Sequence, residues 1–169
     1  MNKKPDSLEK GDWIVHSYYG IGQIKCIETK LIEQKKTRYF KVKGKNSTFF
    51  VPVSNVINER IRPISTDYKL RKAKKAFRSP PQPLPKNHTE RKRLLQQLSS
   101  DRSLENIAAL LRDLICRKEI EGLNDYEENI LQLFETLFIK EWAIIKEITE
   151  DEVRIQYNKI VMEEILENL

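Results

Sequence analysis

The stretch Arg78-Ser79-Pro80-Pro81-Gln82-Pro83-Leu84-Pro85-Lys86 separates two parts of the chain that have different periodicities. Its prolines exclude a helix, because proline lacks the amide hydrogen and clashes with the preceding turn. They favour an extended and stiff connector instead. Residues ahead of the stretch mostly alternate as β-strands do, whereas residues after it follow the helical period.

Five short segments ahead of residue 64 are rich in β-branched and aromatic residues. Turn sequences separate them, with Tyr19-Gly20 after the first and Lys43-Gly44-Lys45-Asn46 between the third and fourth. This spacing predicts a small, strongly bent sheet or barrel. The predicted strands cover residues 12–16, 21–27, 37–43, 48–53 and 60–63.

Helical signals begin at residue 65, with a basic helix over 65–77, and resume after the prolines. Capping residues set the predicted helix ends, because a side-chain oxygen satisfies the first amides and glycine permits the last turn. We predict helices from His88 to about Leu98, from Ser103 to Gly122, and two more, the last through Ile165. The caps and ends are Asn87 with Glu90, Ser103, Gly122, Asn124 with Glu127, and Thr149 with Glu152.

The sequence therefore predicts an α+β protein with two domains, 1–64 and 65–169. The second domain comprises a basic helix and connector over 65–86 and helices over 87–169. With 39% apolar and 33% charged residues, the chain can bury modest cores and is not wholly disordered.

The length of the apolar runs and the spacing of the cysteines predict the compartment of the protein and the state of its thiols. No apolar run is long enough to span a bilayer, and residues 1–10 lack the apolar region of a signal peptide, so we expect a cytoplasmic protein without membrane association. Cys26 and Cys116 are far apart, with no CxxC motif, which favours buried reduced thiols over a zinc site or a disulfide.

Charge is distributed unevenly along the chain. Residues 60–93 carry twelve Lys or Arg against two acids, whereas residues 119–169 carry four against fourteen. A basic middle segment beside an acidic end indicates that one face meets a polyanion. Cations beside phosphates release condensed counterions, so nucleic acid fits this pattern, and an ordinary solvated helix face is the alternative.

Catalytic motifs are missing from the sequence. It has two histidines, and it contains no GxSxG, Walker loop or HExxH. Gly20 and Gly22 lack the third glycine and following helix of a dinucleotide site, so we interpret them as a turn or bulge pair. We predict no enzyme activity, no cofactor and no bound metal.

Residues 11–24, GDWIVHSYYGIGQI, resemble the opening of the polymerase-interacting domain of the CarD family, a domain shared with transcription–repair coupling factors. Residues 27–30 (IETK) and 49–53 (FFVPV) are similar to later parts of the same domain, and residues 110–114 (LLRDL) to the CarD C-terminal domain. The resemblance implies a Tudor-like five-stranded β barrel followed by an all-α bundle. It also implies a monomer when bound to polymerase.

The resemblance assigns the front half to the lobe of the RNA polymerase β subunit. The family's contact positions correspond to Lys30 and Phe50, with Val51 and Pro52 beside them. A basic residue is common at the position of Phe50, so the aromatic ring implies a more apolar patch. The alternative for Phe50 is a side chain of the barrel core.

The resemblance places the rear half on promoter DNA at the upstream edge of the transcription bubble. His88 stands where the family commonly has a tryptophan that wedges into the minor groove, which implies a weaker wedge. Lys92 and the basic family positions Arg91 and Arg93 are expected to contact DNA, and the helix-start amides near Asn87 to add phosphate contacts. The alternative is that His88 is an exposed residue without a role.

The expected function is therefore a transcription regulator that binds polymerase and upstream promoter DNA and stabilises the open complex. Two other classes are open on the sequence. One is a polymerase-binding adaptor whose helical domain recruits a protein, and the other is a nucleic-acid binder that ignores polymerase.

Overall fold

The computed structural model describes residues 8–32, 34–55 and 60–169. The chain divides into two compact units, Met1–Ile64 and Ser65–Leu169. Residues 1–7, on which the expectation about a signal peptide partly depends, lie outside the described residues. None of the helices within the described ranges is long and apolar enough to cross a membrane.

The first unit is an antiparallel sheet with strand order β4-β3-β2-β1-β5. The strands are β1 Trp13–His16, β2 Gly20–Ile32, β3 Lys35–Gly44, β4 Thr48–Pro52 and β5 Ile61–Pro63. Within the described residues β4 and β5 each pair on one side only, so the predicted barrel is an open sheet. Side chains of all five strands still meet in one core, for which the sheet must curl. The core residues are Ile14, Ile24, Phe40, Val42, Phe49, Val51 and Ile61.

The hairpin of β2 and β3 is longer than the sequence predicts. The predicted strands end at residue 27 and begin at residue 37, whereas pairing continues to Ile32 opposite Lys35. Leu31 is 67% exposed and Ile32 48% exposed, so this extension depends on ladder hydrogen bonds more than on burial. Apolar alternation cannot detect strands of that kind.

The glycines Gly20 and Gly22 have different structural roles. Gly20 has a φ of +75°, in the left-handed region that favours glycine at a turn. Gly22 lies within β2, where a Cβ would come 2.6 Å from Val42 Cγ1. The prediction that both glycines lie in a turn or bulge is therefore correct for Gly20 and wrong for Gly22. The register between β2 and β3 shifts further along β2, between Ile24 and Cys26.

We expect Gly22→Ala to destabilise the β unit by about 1–3 kcal/mol, the usual cost of overpacking a core. The new methyl group would press on Val42 and would lie 3.2 Å from Phe49 Cε1. Hydrogen exchange of the β3 amides measures the loss. Gly44→Ala is the matched control, because Gly44 pairs with Gly22 and its Cβ would meet nothing closer than 3.5 Å. Equal losses in both variants would contradict the packing explanation.

The second unit is helical. Its helices are α1 Asp67–Ala76, α2 His88–Ser100, α3 Leu104–Glu121, α4 Asp125–Lys146 and α5 Glu150–Ile160. The predicted capping boxes of α4 and α5 are confirmed, with reciprocal bonds in both. The last α-helix is predicted to continue through Ile165, and this prediction is wrong for the final turn. The α-helix ends at Ile160, and the chain forms a π-helical segment at Val161–Ile165.

Helix α1 belongs to the bundle and does not stand apart from it. Leu70, Ala73 and Phe77 are buried, and the Phe77 ring lies edge-on 5.6 Å from Phe138. Trp142 of α4 is fully buried in the same core. The prolines thus lie inside the second unit and do not mark its boundary.

The proline segment is fastened to the bundle through an ion pair on α3. Arg112 and Asp113 are both buried, and Arg112 Nη2 lies 2.7 Å from Asp113 Oδ1. The Gln82 amide donates to the same oxygen at 2.9 Å, and Arg112 Nη1 donates to the Ala76 carbonyl at 3.0 Å. Burial raises the pKa of Asp113, although the bonds from Gln82 and Arg112 oppose that rise.

Candidate functional site

Lys30 and Phe50 lie together on the outer face of the sheet. Lys30 is on β2 and Phe50 on β4, and Lys30 Nζ lies 3.0 Å from the centroid of the Phe50 ring. Such a cation–π contact stabilises by about 0.5–1 kcal/mol at exposed sites. Phe50 is half-buried, while its neighbours Phe49 and Val51 are in the core. The alternative that Phe50 is a core side chain is therefore wrong.

The other two residues of the predicted polymerase site differ in their exposure. Val51 is 2% exposed and packs in the core, so its side chain cannot reach a partner. The prediction that the Val51 side chain contacts polymerase is therefore wrong. Successive side chains of β4 point to opposite faces of the sheet, and Val51 faces the core. Pro52 is half-buried at the end of β4, where it pairs with Tyr39 of β3.

An ion pair on the same face was not recognised from the sequence. Lys41 lies opposite Phe50 in the β3–β4 ladder, and its Nζ is 2.9 Å from Glu28 Oε1. The hydrogen bond and charge of Glu28 raise the pKa of Lys41. Alternation in β3 points to this residue, because Lys41 stands between the core residues Phe40 and Val42. We name Glu28, Lys30, Tyr39, Lys41 and Phe50 the outer sheet face.

His88, Lys92 and Arg93 are exposed at the start of α2. Lys92 Nζ lies 5.4 Å from the centroid of the Tyr126 ring, so an aromatic side chain of α4 adjoins this surface. The amides of Thr89 and Glu90 donate to the Asn87 side chain. The expected phosphate contact through those two amides is therefore wrong.

Arg91 does not belong to that exposed surface. It is 6% exposed, and its Nε donates to Glu127 Oε1 at 2.5 Å. Its Nη1 donates to the carbonyls of Pro85 and Lys86 at 2.7 and 2.9 Å. The prediction that Arg91 contacts DNA is therefore wrong, because its guanidinium already binds α4 and the proline segment inside the bundle.

Glu127 is the centre of this buried cluster. Its side chain is 3% exposed and also lies 3.5 Å from Arg117 Nε. Burial acts to raise the pKa of Glu127, but the hydrogen bonds from Arg91 and Asn124 and the charges of Arg91 and Arg117 hold it below its ordinary value. Glu127 is therefore ionised at neutral pH and balances the buried arginine.

Two family models match consecutive parts of the chain. The CarD-like/TRCF RID domain matches residues 8–65, and the CarD C-terminal domain matches residues 72–158. The chain belongs to the CarD family. Membership confirms the resemblance, and the change from one model to the other falls near the division between the two compact units.

A bacterial relative covers most of both chains. The Bacillus subtilis (strain 168) protein named "Putative transcription factor YdeB" is 28% identical over 155 residues, which are 85% of this chain and 95% of that protein. This CarD protein is accordingly a transcription regulator, from a family of transcription factors and not of enzymes. Membership of that family implies interaction with RNA polymerase.

Proposed function

We propose that this CarD protein docks on the lobe of the RNA polymerase β subunit and holds promoter DNA at the upstream edge of the bubble. The outer sheet face provides the polymerase contact, and the exposed start of α2 provides the DNA contact. Binding that favours the open complex over the closed one shifts the promoter equilibrium without chemistry. The effect on transcription depends on the promoter, because a more stable open complex also hinders escape.

The contact between Lys30 and Phe50 carries the polymerase part of the proposal. It presents a partly exposed aromatic ring, a kind of side chain that is enriched in interface cores, beside a lysine cation. Strand β4 adds an edge that, in the described residues, pairs on one side only. Such an edge can accept a strand of a partner by backbone hydrogen bonding.

The exposed residues His88, Lys92 and Arg93 support the DNA part of the proposal. Two cations within one turn can neutralise neighbouring phosphates, while the imidazole at the helix start can reach a base edge or phosphate. Without Arg91 this surface is small. Affinity for DNA should therefore be low for the protein alone and should depend on the local concentration that polymerase docking supplies.

The lifetime of the open complex on a cognate polymerase tests the DNA contact. We expect wild-type protein to lengthen the lifetime and the Lys92→Ala, Arg93→Ala double variant to lose that gain while still docking. For DNA binding without polymerase, the salt slope should fall by about 2, one for each phosphate contact removed. His88→Trp should lengthen the lifetime further, because a larger ring fills the unstacked step. A double variant that docks and behaves as wild type would refute the DNA contact.

The burial of Arg91 favours a second function, that of an adaptor. Because this arginine is occupied inside the bundle, the start of α2 offers fewer cations to DNA than its sequence implies. The helical unit would then recruit a protein to docked polymerase. Unchanged open-complex lifetimes for the Lys92→Ala, Arg93→Ala double variant would favour this adaptor.

A further inference from the structure

Basic side chains cover much of α1. Residues 67–78 include six Lys or Arg residues and one acid, with five of the cations in α1 and Arg78 just after it. Asp67 pairs with Arg71 and, at 2.5 Å, with Lys146 of α4. A large positive excess therefore remains on this short helix after its one carboxylate is counted.

Four of these cations line one cleft. The cleft has a volume of about 360 Å³ and lies between α1 and the end of α5. Its walls are Arg71, Lys74, Lys75, Arg78, Ile160 and Glu164. Lys74 Nζ is also held 3.6 Å from the centroid of the Trp142 ring. Burial lowers the pKa of Lys74, and the nearby charge of Lys146 adds to that shift.

Among the described residues, the one acid in the cleft wall is Glu164, close to the C-terminal end of the sequence. Glu164 Oε1 lies 2.8 Å from Arg78 Nε and belongs to the π-helical segment Val161–Ile165. The next residue, Ile165, is 4% exposed and fixes this segment to the bundle. Segments of π-helix often mark functional positions. The carboxylate occupies the place that an anionic ligand of Arg78 would take.

We propose that this cleft binds a backbone phosphate of nucleic acid and that Glu164 competes with the phosphate for Arg78. The inference deepens the proposed function, on whose nucleic-acid role it rests, by adding a contact outside the start of α2. The geometry is that of a phosphate site, with several cations around a space that holds one anionic group.

Neighbouring side chains favour a long polyanion over a small phosphate compound. Lys69 and Lys72 are exposed on α1 outside the cleft and extend its positive surface along the helix. Tyr68 is 59% exposed, and Lys72 Nζ lies 4.9 Å from its ring centroid. Exposed aromatic rings beside cations are the pattern on which nucleic-acid bases stack.

Two neutralising variants test the proposal on the full chain without polymerase. Glu164→Gln should tighten binding of a labelled DNA oligonucleotide by about two- to fivefold, the range that loss of one exposed ion pair permits. Glu163→Gln is the matched control, because it makes the same charge change beside Glu164, and Glu163 lies 3.6 Å from Lys159 outside the cleft. It should change the affinity little. Arg78→Ala should weaken binding and reduce the salt slope by about 1.

Each other outcome overturns the assignment. Equal effects of Glu164→Gln and Glu163→Gln would show that net charge alone matters, and no effect of either would show that the cleft does not meet DNA. Binding of inorganic tripolyphosphate distinguishes a free phosphate compound from the phosphate backbone of nucleic acid as the ligand of the cleft. If Glu164→Gln tightens its binding but leaves DNA binding unchanged, the cleft serves a free phosphate compound and not nucleic acid.

The same assay separates this inference from the proposed function. If the Lys92→Ala, Arg93→Ala double variant binds DNA as wild type does while Glu164→Gln tightens binding, the proposed DNA contact at the start of α2 is wrong and the phosphate site in the cleft is supported. If the double variant weakens DNA binding and Glu164→Gln has no effect, the phosphate site is wrong and the α2 contact is supported. Failure to dock on polymerase affects neither result.

Discussion

Arg91→Ala is expected to lower the free energy of unfolding of the helical unit by about 3–5 kcal/mol, the loss that follows when one partner of a buried ion pair is removed. The variant leaves the buried Glu127 carboxylate without its closest cation; Arg117 Nε remains 3.5 Å away, and Asn124 still donates hydrogen bonds to it. It also removes the donor to the Pro85 and Lys86 carbonyls. Urea unfolding followed by far-UV circular dichroism measures the change.

Arg93→Ala is the matched control for that experiment. It removes the same side chain from the same helix, two residues further on, where the arginine is exposed. Its effect on stability should stay within about 0.5 kcal/mol, as for most surface substitutions. If both variants lose equal stability, the buried ion pair does not have the importance that its geometry implies.

The pH dependence of stability follows from the same ion pair. The pKa of Glu127 is below its ordinary value of 4.5, so its contribution is fully present above pH 4.5 and is lost as the pH falls through the lower folded value. Glu127→Gln should flatten the acid limb of the stability profile as well as lower stability at neutral pH. If the stability of Glu127→Gln falls as steeply at low pH as that of wild type, other carboxylates determine the loss of stability in acid.

Phe50→Ala is expected to weaken docking on polymerase by about fivefold or more, since truncating an aromatic residue at the centre of an interface costs about 1 kcal/mol or more. The ring supplies apolar area at the surface and holds Lys30 Nζ 3.0 Å from its centroid. Titration of a β-lobe fragment with the full chain measures the affinity. Folding should be unaffected, because Phe50 faces away from the core.

Two further variants sharpen the docking experiment. Lys30→Met keeps an aliphatic side chain on the Phe50 ring but removes the charge, so it separates apolar from ionic contributions. Tyr18→Ala removes an aromatic residue that is 84% exposed in the turn between β1 and β2, away from the outer sheet face. Should Tyr18→Ala weaken docking as much as Phe50→Ala does, the site is misplaced.

Most of the fold follows from local signals. The strands and helices, the turn at Gly20 and the capping boxes at Asn124 and Thr149 are encoded by residues within a few positions of each other. The misses in the sheet share one cause, which is that pairing between strands decided them. The hairpin extends to Ile32 through its ladder with β3, and closure of the sheet depends on whether its edge strands β4 and β5 pair with each other.

The candidate sites show the same division. The sequence alone determined the family and which side chains carry charge, because motifs and composition can be read without three-dimensional information. Tertiary structure alone decided that Arg91 is buried on Glu127, 36 residues away, while Arg93 in the same helix is exposed. It also brought Lys30 onto Phe50 and Arg78 onto Glu164. The physical reason is that accessibility depends on which distant groups pack against a side chain, whereas charge and helix or strand preference are local properties.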